Sequence, residues 1–90
     1  MRDGAVIVEF FGIPRVRAGR AELAVAPGSV GAVLAEVRER CPGLSDLLTR
    51  EGRLSPHYLL SLDGLEFVKD VEGDIPAAAR LLILSADAGG

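Results

Sequence analysis

The 90-residue chain has one cysteine, Cys41, and one histidine, His57. A lone thiol cannot close an internal disulfide, so nothing in the composition asks for an oxidising compartment. One thiol and one imidazole make no nucleophile–base–orienter set unless they happen to meet in the fold. CxxC and HExxH spacings, which would hold a metal, are missing, and so is a glycine-rich phosphate loop between strand and helix. Cys41 therefore reads as a packing thiol and His57 as a strand-edge residue. Long apolar runs are also lacking. The longest aliphatic run, Leu81 to Leu84, falls far short of the roughly 20 residues of a membrane helix. Met1-Arg2-Asp3-Gly4 leads into a short apolar stretch broken by Glu9, too short for a signal core, so the expectation is a cytoplasmic protein without a membrane partner. The cations, nine arginines and Lys69, are scattered among thirteen acidic residues for a net charge of −3. That balance argues against a nucleic-acid partner.

What remains is enough for one small domain, residues 1–90, with a C-terminal tail over 85–90. Apolar residues make up 49% of the chain, but twelve of them are alanines that bury little area. A chain of this size buries only about 60% of its unfolded surface, so it needs a well-covered sheet or a partner.

Ala5 to Phe11 is β-branched and aromatic and stops at Gly12-Ile13-Pro14, which predicts a largely buried first strand. Alternation puts Val6, Val8 and Phe10 on one face and Ile7, Glu9 and Phe11 on the other. An Arg- and Gly-rich loop through Arg15, Arg17, Gly19 and Arg20 should lead to a second strand, Glu22 to Ala26, ended by Pro27-Gly28. Ser29 reads as a helix N-cap. Val30, Val33, Leu34, Val37 and Cys41 then form one apolar helical stripe that Pro42-Gly43 terminates. A short helical turn is expected over Ser45 to Arg50. His57 to Leu62 and Leu65 to Val68 should form a hairpin about Asp63-Gly64, a pair suited to the positive φ angles of a type I′ turn. Ile75 to Arg80 reads as irregular or briefly helical, and Leu81 to Leu84 as the last strand.

The most apolar strands, the first and the last, should lie together at the sheet centre. The predicted fold class is α+β: a mixed sheet of about five strands with one main helix on one face. That is the β-grasp, ubiquitin-like layout.

Several segments of this layout carry a family resemblance. Val8-Glu9-Phe10-Phe11-Gly12, Pro27-Gly28-Ser29-Val30, Cys41-Pro42-Gly43-Leu44 and Leu62-Asp63-Gly64 are followed by Leu81-Leu82-Ile83-Leu84 running out to Gly89-Gly90. In this, the sequence resembles the ubiquitin-like sulfur carriers, the family of the molybdopterin synthase small subunit and the thiamine sulfur carrier. Its length favours the molybdopterin branch. Ala79-Arg80 stand where the family usually has a Gly-Asp turn. The tail reads Ser85-Ala86-Asp87-Ala88 where molybdopterin carriers tend to have proline or aliphatic residues.

The resemblance implies a carrier rather than an enzyme. The Gly90 carboxylate, with Gly89 before it, would be adenylated by an E1-like adenylyltransferase using ATP and magnesium, with no cofactor held permanently by the chain. A sulfurtransferase would supply sulfur for a thiocarboxylate, and the molybdopterin synthase large subunit would receive it. Glycines suit a tail that enters a narrow channel, because without Cβ atoms they take any φ. Partner binding is expected on the sheet face away from the helix. Ile7, Phe11 and Leu59 should lie there, joined by either Leu81 and Ile83 or Leu82 and Leu84, with Ala88 gripped in the tail. Two alternatives stand beside this reading. One is a carrier for thiamine, cysteine or another thiocarboxylate pathway; the other is a β-grasp interaction module without covalent chemistry.

Overall fold

A computed structural model describes residues 4–86; the expectations for Ala88, Gly89 and Gly90 lie outside them. The elements are β1 (Val6–Phe10), α1 (Ile13–Ala18), β2 (Glu22–Val25), β3 (Gly28–Ser29), α2 (Val30–Arg40), β4 (Tyr58–Leu62), β5 (Glu66–Val68), β6 (Asp74–Ile75) and β7 (Arg80–Ser85). Five strands form one mixed sheet in the order β2-β1-β7-β4-β5, and β3 pairs with β6 in a small two-stranded ladder. β1 runs parallel to β7, and every other pairing in the large sheet is antiparallel. The first and last strands thus meet inside the sheet, as their apolar sequences require.

The inner face is buried. Val6, Val8 and Phe10 of β1, Leu60 of β4, and Leu81 and Ile83 of β7 are buried against Val30, Val33, Leu34 and Val37 of α2. Cys41 closes the stripe as a buried free thiol. The start of α2 is fully furnished with acceptors. Ser29 Oγ accepts from the Ala32 N–H, while the Val30 and Gly31 N–H groups donate to the carbonyls of Gly73 and Val71. Those three bonds satisfy donors that a helix start otherwise leaves open.

Three local expectations are corrected. The Arg- and Gly-rich segment after β1 is a helix, α1, with Pro14 in its first turn and Gly19 closing it in the left-handed conformation. Proline fits a first turn because its missing N–H would be unpaired there anyway. The short turn expected over Ser45 to Arg50 is a 3₁₀ turn at Pro42–Leu44 instead. It abuts α1 so closely that a Cβ on Gly43 would come within 2.2 Å of the Arg17 carbonyl oxygen. Asp74, read as the end of a Glu72-Gly73-Asp74 turn, and Ile75, read as irregular or briefly helical, form β6 and bury Ile75 beneath the helix start.

The hairpin forms about Asp63 and Gly64, whose φ of 55° and 71° are the positive angles expected of that pair; its returning strand starts at Glu66 rather than Leu65, because Leu62 pairs with Glu66. Asp63 does more than turn the chain. Its Oδ1 accepts from the Arg80 N–H, and its own N–H donates to the Arg80 carbonyl, which ties the hairpin to the start of β7.

Candidate functional site at the root of the tail

β7 supplies the site's direction, because the central strand runs directly into the C-terminal tail. Its last residue, Ser85, lies opposite Tyr58, and the Ala86 N–H donates to the His57 carbonyl at 2.8 Å. The chain is therefore held in the ladder up to the last described residue.

On the outer face, pairing register decides which side chains adjoin. Leu59 lies opposite Leu84. Phe11 is one step beyond the Phe10–Ile83 pair, its N–H donating to the Ile83 carbonyl, which sets it level with Leu84. Phe11, Leu84 and Leu59 thus form one row across β1, β7 and β4, at the end where the tail departs. Phe11 is 48% and Leu59 41% exposed. The next row holds Glu9, Leu82, Ser61 and Phe67, with Phe67 71% exposed. Of the two alternatives for β7, alternation settles on Leu82 and Leu84, since Leu81 and Ile83 are core. Ile7 shares the face but not the row. It is half-buried, pairs with Arg80 at the far end of β7, and is set apart from Phe11 by the Arg80–Glu9 ion pair.

A cleft of about 270 Å³ flanks the root of the tail, lined by Ile13, Arg17, Asp46, His57, Tyr58 and Ser85. Its wall is a three-membered polar network. The Tyr58 hydroxyl donates to Asp46 Oδ1 at 2.6 Å and accepts from Arg17 Nη1 at 2.8 Å, while Arg17 Nη1 also reaches Asp46 Oδ2 at 3.1 Å. Burial pushes the Asp46 carboxyl up, but the Tyr58 hydrogen bond and the Arg17 guanidinium outweigh it and hold the group below its ordinary value. Burial, and then the bond to Asp46, raise the Tyr58 phenol. The network is thus a neutral phenol between a guanidinium and a carboxylate, and it pins α1 and the segment after α2 to the first residue of β4.

Sequence reading had no signal for this network, because its members stand 29, 41 and 12 residues apart. No His/Cys/Asp/Glu cluster among the described residues could hold a metal ion. Among them, too, no helix is long and apolar enough to cross a membrane.

No family model and no curated protein matches the sequence. Solved structures do match. SAMP1 from Haloferax volcanii aligns over 97% of this chain and 100% of its own, at 22% identity and a TM-score of 0.81. A chain of the Amycolatopsis orientalis BexX/CysO complex aligns over 96% of this chain and 100% of its own, at 26% identity and a TM-score of 0.79. A putative molybdopterin converting factor subunit 1 from Pyrococcus furiosus covers 91% of this chain and 97% of its own, at 15% identity and a TM-score of 0.73.

Proposed function

From the β-grasp fold that this chain shares with the ubiquitin-like sulfur carriers, we propose that it is itself a sulfur carrier, with Gly89-Gly90 as its reactive end. The observation that carries the reading is the continuity of the central strand β7 with the tail, beside an apolar row in which Phe11 and Leu59 are exposed and Leu84 half-buried. A protein that delivers its own terminus needs a surface on which a partner can hold it, and exposed apolar residues gathered on one face supply one.

The chemistry is the partner's, and the chain brings the substrate atom. An α-carboxylate is ionised at neutral pH and is a poor electrophile. Attack by the Gly90 carboxylate on the α-phosphate of ATP, in an E1-like adenylyltransferase with magnesium, forms the acyl-adenylate and releases pyrophosphate. A persulfide on a sulfurtransferase then displaces AMP to give an acyl disulfide, and a thiol reductant cleaves its S–S bond to leave the thiocarboxylate. Glycines at 89 and 90 keep side chains out of the channel. Ordering such a tail costs entropy on binding, which the apolar row offsets.

The acceptor we favour is molybdopterin synthesis, with the synthase large subunit as partner, on the chain's length and its likeness to a molybdopterin converting factor subunit. Delivery to another thiocarboxylate-dependent pathway is the second reading, favoured by the 26% identity with a chain of the BexX/CysO complex.

The test is deletion of Gly90. One extended residue spans about 3.3–3.6 Å, whereas reacting atoms must approach to about 3–3.5 Å. The shortened chain should keep its melting temperature and lose ATP–pyrophosphate exchange with the adenylyltransferase of its own organism. Intact-mass analysis of the native protein should show sulfur in place of one oxygen at the terminus. Normal exchange by the shortened chain would overturn the reading.

A further inference from the structure

Phe10 to Ala21 carries three arginines and no acid, in a chain whose net charge is −3. Arg17 is engaged by Asp46 and Tyr58. Arg15 and Arg20 are exposed, and no ion pair or side-chain hydrogen bond occupies either among the described residues. Arg15 stands within α1 and Arg20 just past its Gly19 cap, where it borders a cleft along β2 with Glu22 and Glu36. The helix is turned inside out for a surface element. α1 packs Pro14 and Ala18 inward. Helical geometry sets Val16 on the opposite side, with Ile13 and Arg15 flanking it. Val16 is 81% exposed and Ile13 more than half exposed. The macrodipole accounts for a cation near a helix C-terminus; it gives no reason for two β-branched side chains in water.

Position adds the second half of the argument. Ile13 lines the cleft that also contains Ser85, and Phe11, two residues earlier, ends the apolar row. A protein held at the root of the tail, beside Ser85, would have Ile13 within the same cleft.

We propose that the outer side of α1, with Ile13, Arg15 and Val16, forms together with Arg20 just past its C-cap a docking ridge for an acidic, partly apolar surface on the enzyme that activates the tail. The inference rests on the sulfur-carrier reading and extends it from the sheet face to α1. The charges give the encounter a polarity. An acidic partner is repelled by the molecule as a whole and attracted at this ridge, so it meets the chain with the tail-bearing end forward. Such steering acts on the association rate and weakens as salt screens it.

The experiment uses the full chain and the adenylyltransferase of the same organism, following ATP–pyrophosphate exchange at low and high salt. For the wild type, KM should rise with ionic strength. The double variant R15E/R20E should raise KM about tenfold or more at low salt, leave kcat and the melting temperature unchanged, and abolish the rise with salt. R15K/R20K, which keeps the charges, should behave as the wild type. A wild-type KM indifferent to salt, or R15E/R20E within about twofold of wild type, overturns the ridge as a docking element. If the wild type binds the enzyme without being adenylated, the carrier reading fails, and the salt dependence of binding decides for or against the ridge. Absence of binding overturns both.

Discussion

Leu59 and Leu60 are neighbours in sequence and in strand β4, yet they belong to different kinds of protein surface. Leu60 points inward and is fully buried between β7 and α2, whereas Leu59 points outward beside Leu84 and is 41% exposed. The same alternation runs through β1 and β7. Inner Val6, Val8, Phe10, Leu81 and Ile83 are sealed in the core, while outer Ile7, Glu9, Leu82 and Leu84 are only half-covered. Both faces are rich in aliphatic residues, so hydrophobicity alone does not separate them. What separates them is the cover. α2 lies on one face, while the other is uncovered by the described residues and carries the Arg80–Glu9 pair and Glu22 among its apolar residues. An apolar side chain on the inner face holds the domain together; one on the outer face is free to serve a partner.

Substitutions can break this division or sharpen it. The largest effect should come from Val33→Asp, which sets an unpaired carboxylate under the sheet where Val33 is buried and removes more than about 4 kcal/mol. Circular dichroism should then show no cooperative melting; a transition like that of the wild type would mean that α2 is not the cover. Next comes the leucine pair itself. Leu60→Ala should cost about 2–5 kcal/mol in urea denaturation, and Leu59→Ala less than about 1 kcal/mol. Equal costs would erase the distinction between the faces.

A smaller effect is expected at the polar wall by the tail. Tyr58→Phe deletes a hydrogen bond to a carboxylate and should cost about 1–2 kcal/mol. The sign of the pH dependence follows from Asp46, whose folded pKa lies below its unfolded one. The stability it contributes is whole above about pH 4, the ordinary aspartate range, and drains away as pH falls through the lower folded value. The difference in melting temperature between wild type and Asp46→Asn should therefore close on acidification. A difference that widens in acid would contradict the network. Smallest in stability is Phe11→Glu, expected to shift unfolding by less than about 0.5 kcal/mol while weakening, in a titration, the complex proposed with the adenylyltransferase. Loss of folding in that variant would return Phe11 to the core.

Much of this division can be read from periodicity, because it is written locally. The stripe Val30, Val33, Leu34, Val37 and Cys41 and the alternation in β1 both report a buried face through residues a few positions apart. Asp63-Gly64 likewise announces its turn. The elements that escaped are those whose reason lies elsewhere in the chain. α1 hides because its apolar residues face solvent, although Pro14 at its start and Gly19 at its end are ordinary helix boundaries. β3 and β6 are two residues each, and their pairing holds Ser29 and the turn carbonyls of Val71 and Gly73 at the start of α2. The Arg17–Asp46–Tyr58 network is brought together by tertiary packing alone. The face that Phe11 and Leu59 occupy was legible; that they share a row from which Ile7 is excluded depends on strand register, which no single segment carries.

The place of β7 in the sheet has a mechanical consequence. A tail that grew from an edge strand would transmit any pull to one ladder, and that ladder would open bond by bond. Here the tail continues a strand flanked on one side by parallel β1 and on the other by antiparallel β4. Traction on the terminus loads both ladders lengthwise and at once, and their bonds must shear together. At its far end the strand is moored to the hairpin by Asp63 and to β1 by the Arg80–Glu9 pair, which joins residues 71 apart in sequence. Tension carried along β7 therefore ends in the middle of the sheet rather than at its margin.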